Sequence, residues 1–411
     1  MRADRPPASE YESYQYLAES DRAAFQFDFP PEIGRVASTR PPVDPAQEEL
    51  VQRTLDEYPV LSLHSHPTRR PADPGQSAAY RRSGRDVTGY AGLSVSGLDA
   101  FFDNMMDGST MIVSRGGWTW NDVVFDLGMR QCDVAHQDLV TVARTVRDIH
   151  SAKRHGQIGA VFTLESLTCI ESELDRIEVL YGLGLRSAGL VYSNSNQLGS
   201  GLAEHDDGGL TALGRRAIQR MNEVGMLVDI AHASDRTCLQ AIEHSRVPIT
   251  ISHRGARALW PTLRMAPDDV IRACAGRGGV IGIEAAPHTT VTRNHPRHCL
   301  DSVMEHFEYC AELVGLDHVA FGPDTNFGDH AGWHVTFSHV FMDDERSAPP
   351  HERVPFVDGI ENPSEEFPNI VRWLVGHGYA QSDIAKVIGG NILRLLGEVW
   401  PDAPGAVSHS V

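Results

Sequence analysis

From residue 58 onward the chain alternates short apolar runs with longer stretches of helical periodicity. The apolar runs carry Val, Ile and Thr and are bounded by Gly, Pro, Asn or Asp, the pattern of buried strands. They fall at 60–66 (VLSLHSH), 110–115 (TMIVSR), 158–166 (IGAVFTLES), 187–194 (SAGLVYSN), 226–234 (MLVDIAHAS), 248–256 (PITISHRGA), 279–287 (GVIGIEAAP) and 318–326 (HVAFGPDTN). Helices are predicted between them over 138–156, 211–226 and 267–279. In the second of these, Leu213, Ala217, Ile218 and Met221 share one face, and Gly225 is a natural C-terminal stop.

Eight strands alternating with helices predict a parallel sheet, and eight is the number that closes a (β/α)8 barrel. The expected fold is therefore α/β, a TIM-like barrel over residues 58–398. A proline- and charge-rich N-terminal extension (1–57) is expected to cover it, with a helix starting at Pro45. Two C-terminal helices end the barrel unit, and 399–411 reads as a flexible tail.

The placement of polar residues favours a barrel over an open sheet. His64 and His66, Glu165, Tyr192 with Asn194, His232, His253 and Asp324 all stand at the C-terminal ends of apolar runs. In a barrel those ends converge on one mouth, where active sites are built. One strand-end histidine is ordinarily a hydrogen-bonded loop residue. Six strands delivering His, Glu and Asp to one face point instead to a metal site. His64 and His66 are two apart, so both side chains leave the same face of their strand and can chelate one ion. Glu165 can bridge two ions. A shared water would then ionise near neutral pH and attack a polarised carbonyl, with Asp324 placed to hold or deprotonate it.

Composition narrows the partners. The formal net charge of −19, with 55 acidic against 36 basic residues, argues against nucleic acid and anionic membranes. No apolar leader opens the sequence, no run is long enough to span a bilayer, and the six cysteines form no CxxC pair. A cytoplasmic protein with reduced cysteines is the expectation. Three loops are candidates for the mouth. Residues 69–86 read as a mobile basic loop able to attract an anion, and 286–301 as a His- and Arg-rich connector. Residues 328–356, with Trp333 and His334, read as a lid.

Five segments together resemble the membrane (renal) dipeptidase family of zinc metallopeptidases, within the amidohydrolase superfamily. They are GGLTALGRRAIQRMNEVGMLVDIAHAS (208–234), VPITISHRGARAL (247–259), RMAPDDVIRACAGRGGVIGI (264–283), GLDHVAFGPDTNFG (315–328) and DIAKVIGGNILRLL (383–396). The resemblance implies a barrel hydrolase with two Zn2+ per chain, other divalent ions also fitting. It implies metal ligands at His64, His66, Glu165, His232 and His253, a catalytic Asp324, and Arg264 gripping a substrate carboxylate. The expected activity is cleavage of an amide bond in a dipeptide-like small substrate by a metal-bridging hydroxide. Family members often form homodimers.

Two positions depart from the family pattern. The family reads His-x-Asp where this chain has His64-Ser65-His66, which removes a negative charge from the cluster. A family histidine that contacts substrate is replaced by Tyr192, whose hydroxyl can still donate a hydrogen bond; Ser193 is the match if the alignment shifts by one. With Asn194, Tyr192 and Arg264 are the expected substrate contacts. The departures keep two alternatives in view: another amidohydrolase-superfamily reaction on a specialised metabolite (a non-peptide amide, a lactone, a lyase step), or a metal-binding barrel without turnover.

Overall fold

The computed structural model describes residues 10–23, 26–105, 119–338 and 348–401. Its strands are β1 (Leu61–Arg69), β2 (Ala100–Met105), β3 (Val140–Val142), β4 (Ile158–Leu164), β5 (Ser187–Gly189), β6 (Leu227–Asp229), β7 (Thr250–Arg254), β8 (Val280–Ile283), β9 (Val319–Phe321) and β10 (Asn326–Phe327). The sheet order is β10-β1-β2-β4-β5-β6-β7-β8-β9, with β3 beside β4, and every strand pairing is parallel. The sheet curls into a TIM-like barrel. Past β9, the chain turns onto β1: Asp324 N–H donates to His64 O (3.3 Å), His66 N–H to Thr325 O (3.0 Å) and Arg70 N–H to Phe327 O (2.9 Å). The seam is tight because Gly322 has no side chain; a Cβ there would lie 2.1 Å from Ser252 O and 3.1 Å from His64 Cβ.

Both faces of a parallel sheet are covered, which explains continuous apolar runs rather than strict alternation. The helix Ala212–Val224 buries Gly214, Ala217, Ile218 and Met221, is capped by the Thr211 side chain, and stops at Gly225 with φ 81°. The helix Pro45–Glu57 begins with a capping box between Asp44 and Gln47. At the opposite end from the seam's polar residues, Ile392, Leu395, Leu396 and Trp400 join Leu61, Ala100, Leu227 and Val280 in one apolar cluster over the strand starts. No helix among the described residues is long and apolar enough to cross a membrane.

Three expectations change. The second barrel strand is β2, AFFDNM, not 110–115, which lies outside the described residues. The predicted helix over 138–156 divides: β-branched Val140-Thr141-Val142 pair with β4, and a Thr145–Asp148 capping box starts the helix only at Val146. The expected mobile loop at 69–86 is ordered: it contains the helix Ser77–Arg82, Arg81 is paired with Asp86 and Asp126, and Arg69 with Glu32. The 399–411 tail is described only to Pro401.

Candidate metal centre

β1 and β7 are not neighbours in the sheet, yet the rings of His64 and His253 lie 3.5 Å apart between centroids. The two side chains meet inside the barrel. Around them β4 delivers Glu165, the loop after β6 His232, and the loop after β9 Asp324. His66 Nε2 is 2.9 Å from Asp324 Oδ1 and 3.4 Å from Glu165 Oε1; His64 Nε2 is 3.4 and 3.8 Å from the same two oxygens. The other oxygen of Glu165, Oε2, is 3.0 Å from His232 Nε2, which is 3.0 Å from His253 Nε2. Two ligand groups result, His64–His66–Asp324 and Glu165–His232–His253, each compact enough for one ion. Glu165 faces both.

The remaining ring nitrogens decide what these atoms can do. His66 Nδ1 is 3.1 Å from the backbone carbonyl of Asn104, which can only accept, so Nδ1 carries the proton. Asp229 accepts from the Ser252 hydroxyl, so Ser252 Oγ accepts in turn from His253 Nδ1–H at 2.7 Å. His232 Nδ1 reaches Ser193 Oγ at 3.4 Å. With their protons committed outward, His66 and His253 turn bare Nε2 lone pairs into the cluster, alongside Asp324 and Glu165. Lone pairs and carboxylates crowded this closely repel one another unless a cation lies between them. Donors around a tetrahedral ion with bonds of about 2.1 Å sit about 3.4 Å apart, and the spacings here bracket that value. The donor set fits a divalent metal.

Titration points the same way. Burial pushes the His64 imidazole down to about 4, against the pull of Asp324, and holds His232 and His253 well below the usual histidine range. Burial alone would raise Asp324; positive charge placed between it and the β1 imidazoles, as a shared proton or a cation, outweighs burial and holds the carboxyl well below its usual range. Neutral imidazoles and an ionised carboxylate are the ligand states metals need. Asp324 also adopts φ 58°, a conformation uncommon for a residue with a side chain and one that clusters at active sites.

The pocket above the cluster is lined by His66, Glu165, Tyr192, Ser193, His232, Arg264 and Asp324, with Arg70, His288, His330, Trp333 and His334 at its outer wall. Tyr192 stacks on His232 at 4.1 Å between centroids. Arg264 lines the wall, but its guanidinium also donates to Ala231 O (3.0 Å) and His253 O (2.9 Å) and pairs with Glu284. Asn194 is exposed and does not line the pocket; its neighbour Ser193 does. Of the 69–86 stretch, Arg70 reaches the pocket. His330 and His334 approach at 3.2 Å on the helix His330–Thr336, while His339 lies outside the described residues.

Two carboxylates escaped the sequence reading. Asp229 sits inside an apolar run, where a lone acid is itself a signal, and orients His253 through Ser252. Glu284 follows β8, is fully buried, and burial pushes its carboxyl up to about 8 despite Arg264.

Similarity to known proteins agrees with this geometry. The signature of the membrane dipeptidase family (peptidase family M19) matches residues 125–336, just over half the chain. The dipeptidase aclJ of Aspergillus oryzae is 28% identical over 280 residues, covering 66% of this chain and 60% of that protein. The dipeptidase tcpJ of Claviceps purpurea is 26% identical over 266 residues, covering 64% and 56%. The chain thus spans about three-fifths of the length of these curated relatives. Among solved structures, an amidohydrolase from Pseudomonas aeruginosa superposes with a TM-score of 0.71 at 22% identity, covering 86% of this chain and 99% of its own. A metallo peptidase from Rhodobacter sphaeroides, liganded with a phosphinate mimic of L-Ala-D-Ala, gives 0.64 at 18% identity, covering 84% and 99%. These likenesses show the shared fold.

Proposed function

From the premise that this chain belongs to the membrane dipeptidase family, peptidase family M19, we propose that it is a zinc-dependent hydrolase of small, dipeptide-like amides that carry a carboxylate. The observation that supports it most is Glu165, whose two oxygens face two separate imidazole groups. His64, His66, Asp324 and Glu165 Oε1 would hold one ion, and His232, His253 and Glu165 Oε2 the second. Bound there, the ions supply Lewis acidity, polarising a carbonyl and easing the ionisation of water.

The chain's own residues do the rest. Asp324, ionised and beside both β1 histidines, accepts the proton released from water and returns it to the leaving amine. The Tyr192 hydroxyl donates a hydrogen bond to the carbonyl oxygen as charge develops on it. Arg264 presents charge to the substrate from a fixed position, its fork held by Glu284 and two backbone carbonyls. The pocket supports a carboxylate-bearing substrate. Among the described residues its acids are Glu165 and Asp324, both on the metal side, and its outer wall offers imidazoles, hydroxyls and guanidinium groups.

Elemental analysis of protein purified without added metal, beside a Glu165→Ala sample, tests the reading, followed by a screen of dipeptides of both chiralities. About two equivalents of zinc, lost in the variant, with dipeptide turnover, is the expected result. One equivalent, or a redox metal, with turnover of lactones or non-peptide amides alone, would replace it with another reaction of the superfamily.

A further inference from the structure

We propose that His288 is a substrate-binding residue whose Nε2–H donates a hydrogen bond to the substrate carboxylate, an assignment that rests on the dipeptide-like substrate proposed above. His288 follows β8 on the pocket's outer wall, 3% exposed, with its backbone at φ 69°. Such a φ is uncommon for residues with a side chain, histidine being one of the types that adopt it more readily. Here the strained turn is built and held. The His288 backbone N–H donates to His298 Nδ1 at 2.9 Å, so the proton of His298 is on Nε2, which donates to Thr290 Oγ1 at 2.9 Å. Thr290 in turn donates to Glu284 O at 2.9 Å. Two buried side chains, His298 and Thr290, and the Glu284 carbonyl hold the backbone of His288 in place.

The orientation follows from the ring nitrogens. His288 Nδ1 is sealed from solvent and has no hydrogen-bond partner among the described residues. Burying a bare lone pair costs less than burying an unsatisfied N–H, so Nδ1 is unprotonated and Nε2 carries the proton. Nε2 is not among the sealed atoms, and the pocket is the space His288 lines. Burial pushes the imidazole down to about 4, so the donor is neutral at physiological pH. The groups that face it are His351, with ring centroids 5.5 Å apart, Arg353 and His334. None is an acid. A donor in those surroundings selects an anionic acceptor.

The test uses the metal-loaded full chain, a phosphinate pseudodipeptide with a free carboxylate, and the same compound as its carboxamide. Affinities are measured by calorimetry for wild type, His288→Gly and His288→Asn; both substitutions accept the left-handed backbone, and Asn shortens the reach. Wild type is expected to prefer the free acid about tenfold or more, and each variant to cut that preference by about fivefold while binding the carboxamide as before. An unchanged preference, an equal loss for both compounds, or no preference in wild type would overturn the assignment. A preference lost in the variants without any dipeptide turnover by wild type would strike the proposed activity and leave His288 standing. Turnover with the preference intact would do the reverse.

Discussion

The two halves of the candidate metal centre are built differently. In the β6–β7 half, His253 is steered through Ser252 by the buried carboxylate of Asp229, which also accepts two backbone N–H groups, and His232 reaches Ser193. In the β1–β9 half, His66 leans on a backbone carbonyl, and His64 Nδ1 is buried without a partner. One half is oriented by a side-chain relay; the other by the barrel seam itself, through Asp324 and the backbone around it. Outer partners raise ligand basicity and fix ring orientation, so the halves should differ in how tightly they hold metal and in what disturbs them.

The largest effect tests the seam half. Asp324→Asn is expected to lower kcat by about a thousandfold with at least one metal equivalent retained, read by steady-state kinetics beside elemental analysis. Loss of all metal with the activity would show that Asp324 is needed chiefly as a ligand. Next comes the relay: Asp229→Asn should weaken metal binding at the β6–β7 half by about tenfold to a hundredfold, measured by competition with a chromophoric chelator. If only the other half weakened, the comparison would be inverted. In wild type loaded with two ions, as proposed, stepwise chelation should remove the β1–β9 ion first, with dissociation constants about tenfold apart.

The smallest effect concerns the support beneath the seam. Thr325 donates to Glu366, whose buried carboxyl burial pushes up to about 8 from the ordinary 4.5. Because the folded state favours the protonated acid, its contribution to stability is full below about pH 4.5 and lost as pH rises through about 8. Glu366→Gln removes that proton uptake. Its melting temperature should therefore fall less steeply than wild type between pH 5 and 9, ending a few degrees higher at the alkaline end by calorimetry. Parallel pH curves would mean that Glu366 is ionised in the fold.

The seam half was also the more legible in sequence. His64, His66 and Asp324 stand at the ends of apolar runs, and strand ends converge in a barrel whatever its details. Glu165, His232 and His253 were visible for the same reason. Asp229 and Glu284 were not, since each contacts the site through a partner distant in sequence, Ser252 and Arg264; His288 lay within the 286–301 stretch assigned to the mouth, but nothing in the sequence singled it out. β2 was missed because AFFDNM has no β-branched residue, and the nearby TMIVSR offered three. The reverse error made a helix of Val140-Thr141-Val142, where helical spacing further along overrode three β-branched neighbours.

The hydrogen bonds from residues 324–327 to β1 join the first and last strands of the barrel, and Asp324 lies within that join. A nascent chain must therefore present almost its whole barrel before the His64–His66–Asp324 group can assemble, whereas Glu165, His232 and His253 need only the chain through β7. High contact order of this kind makes the site late to form. Until the seam shuts, His64 and His66 lack their carboxylate partner from β9. An unzipped chain thus lacks that assembled cluster, and hydrogen exchange at the seam amides should report its loss rather than ordinary fraying.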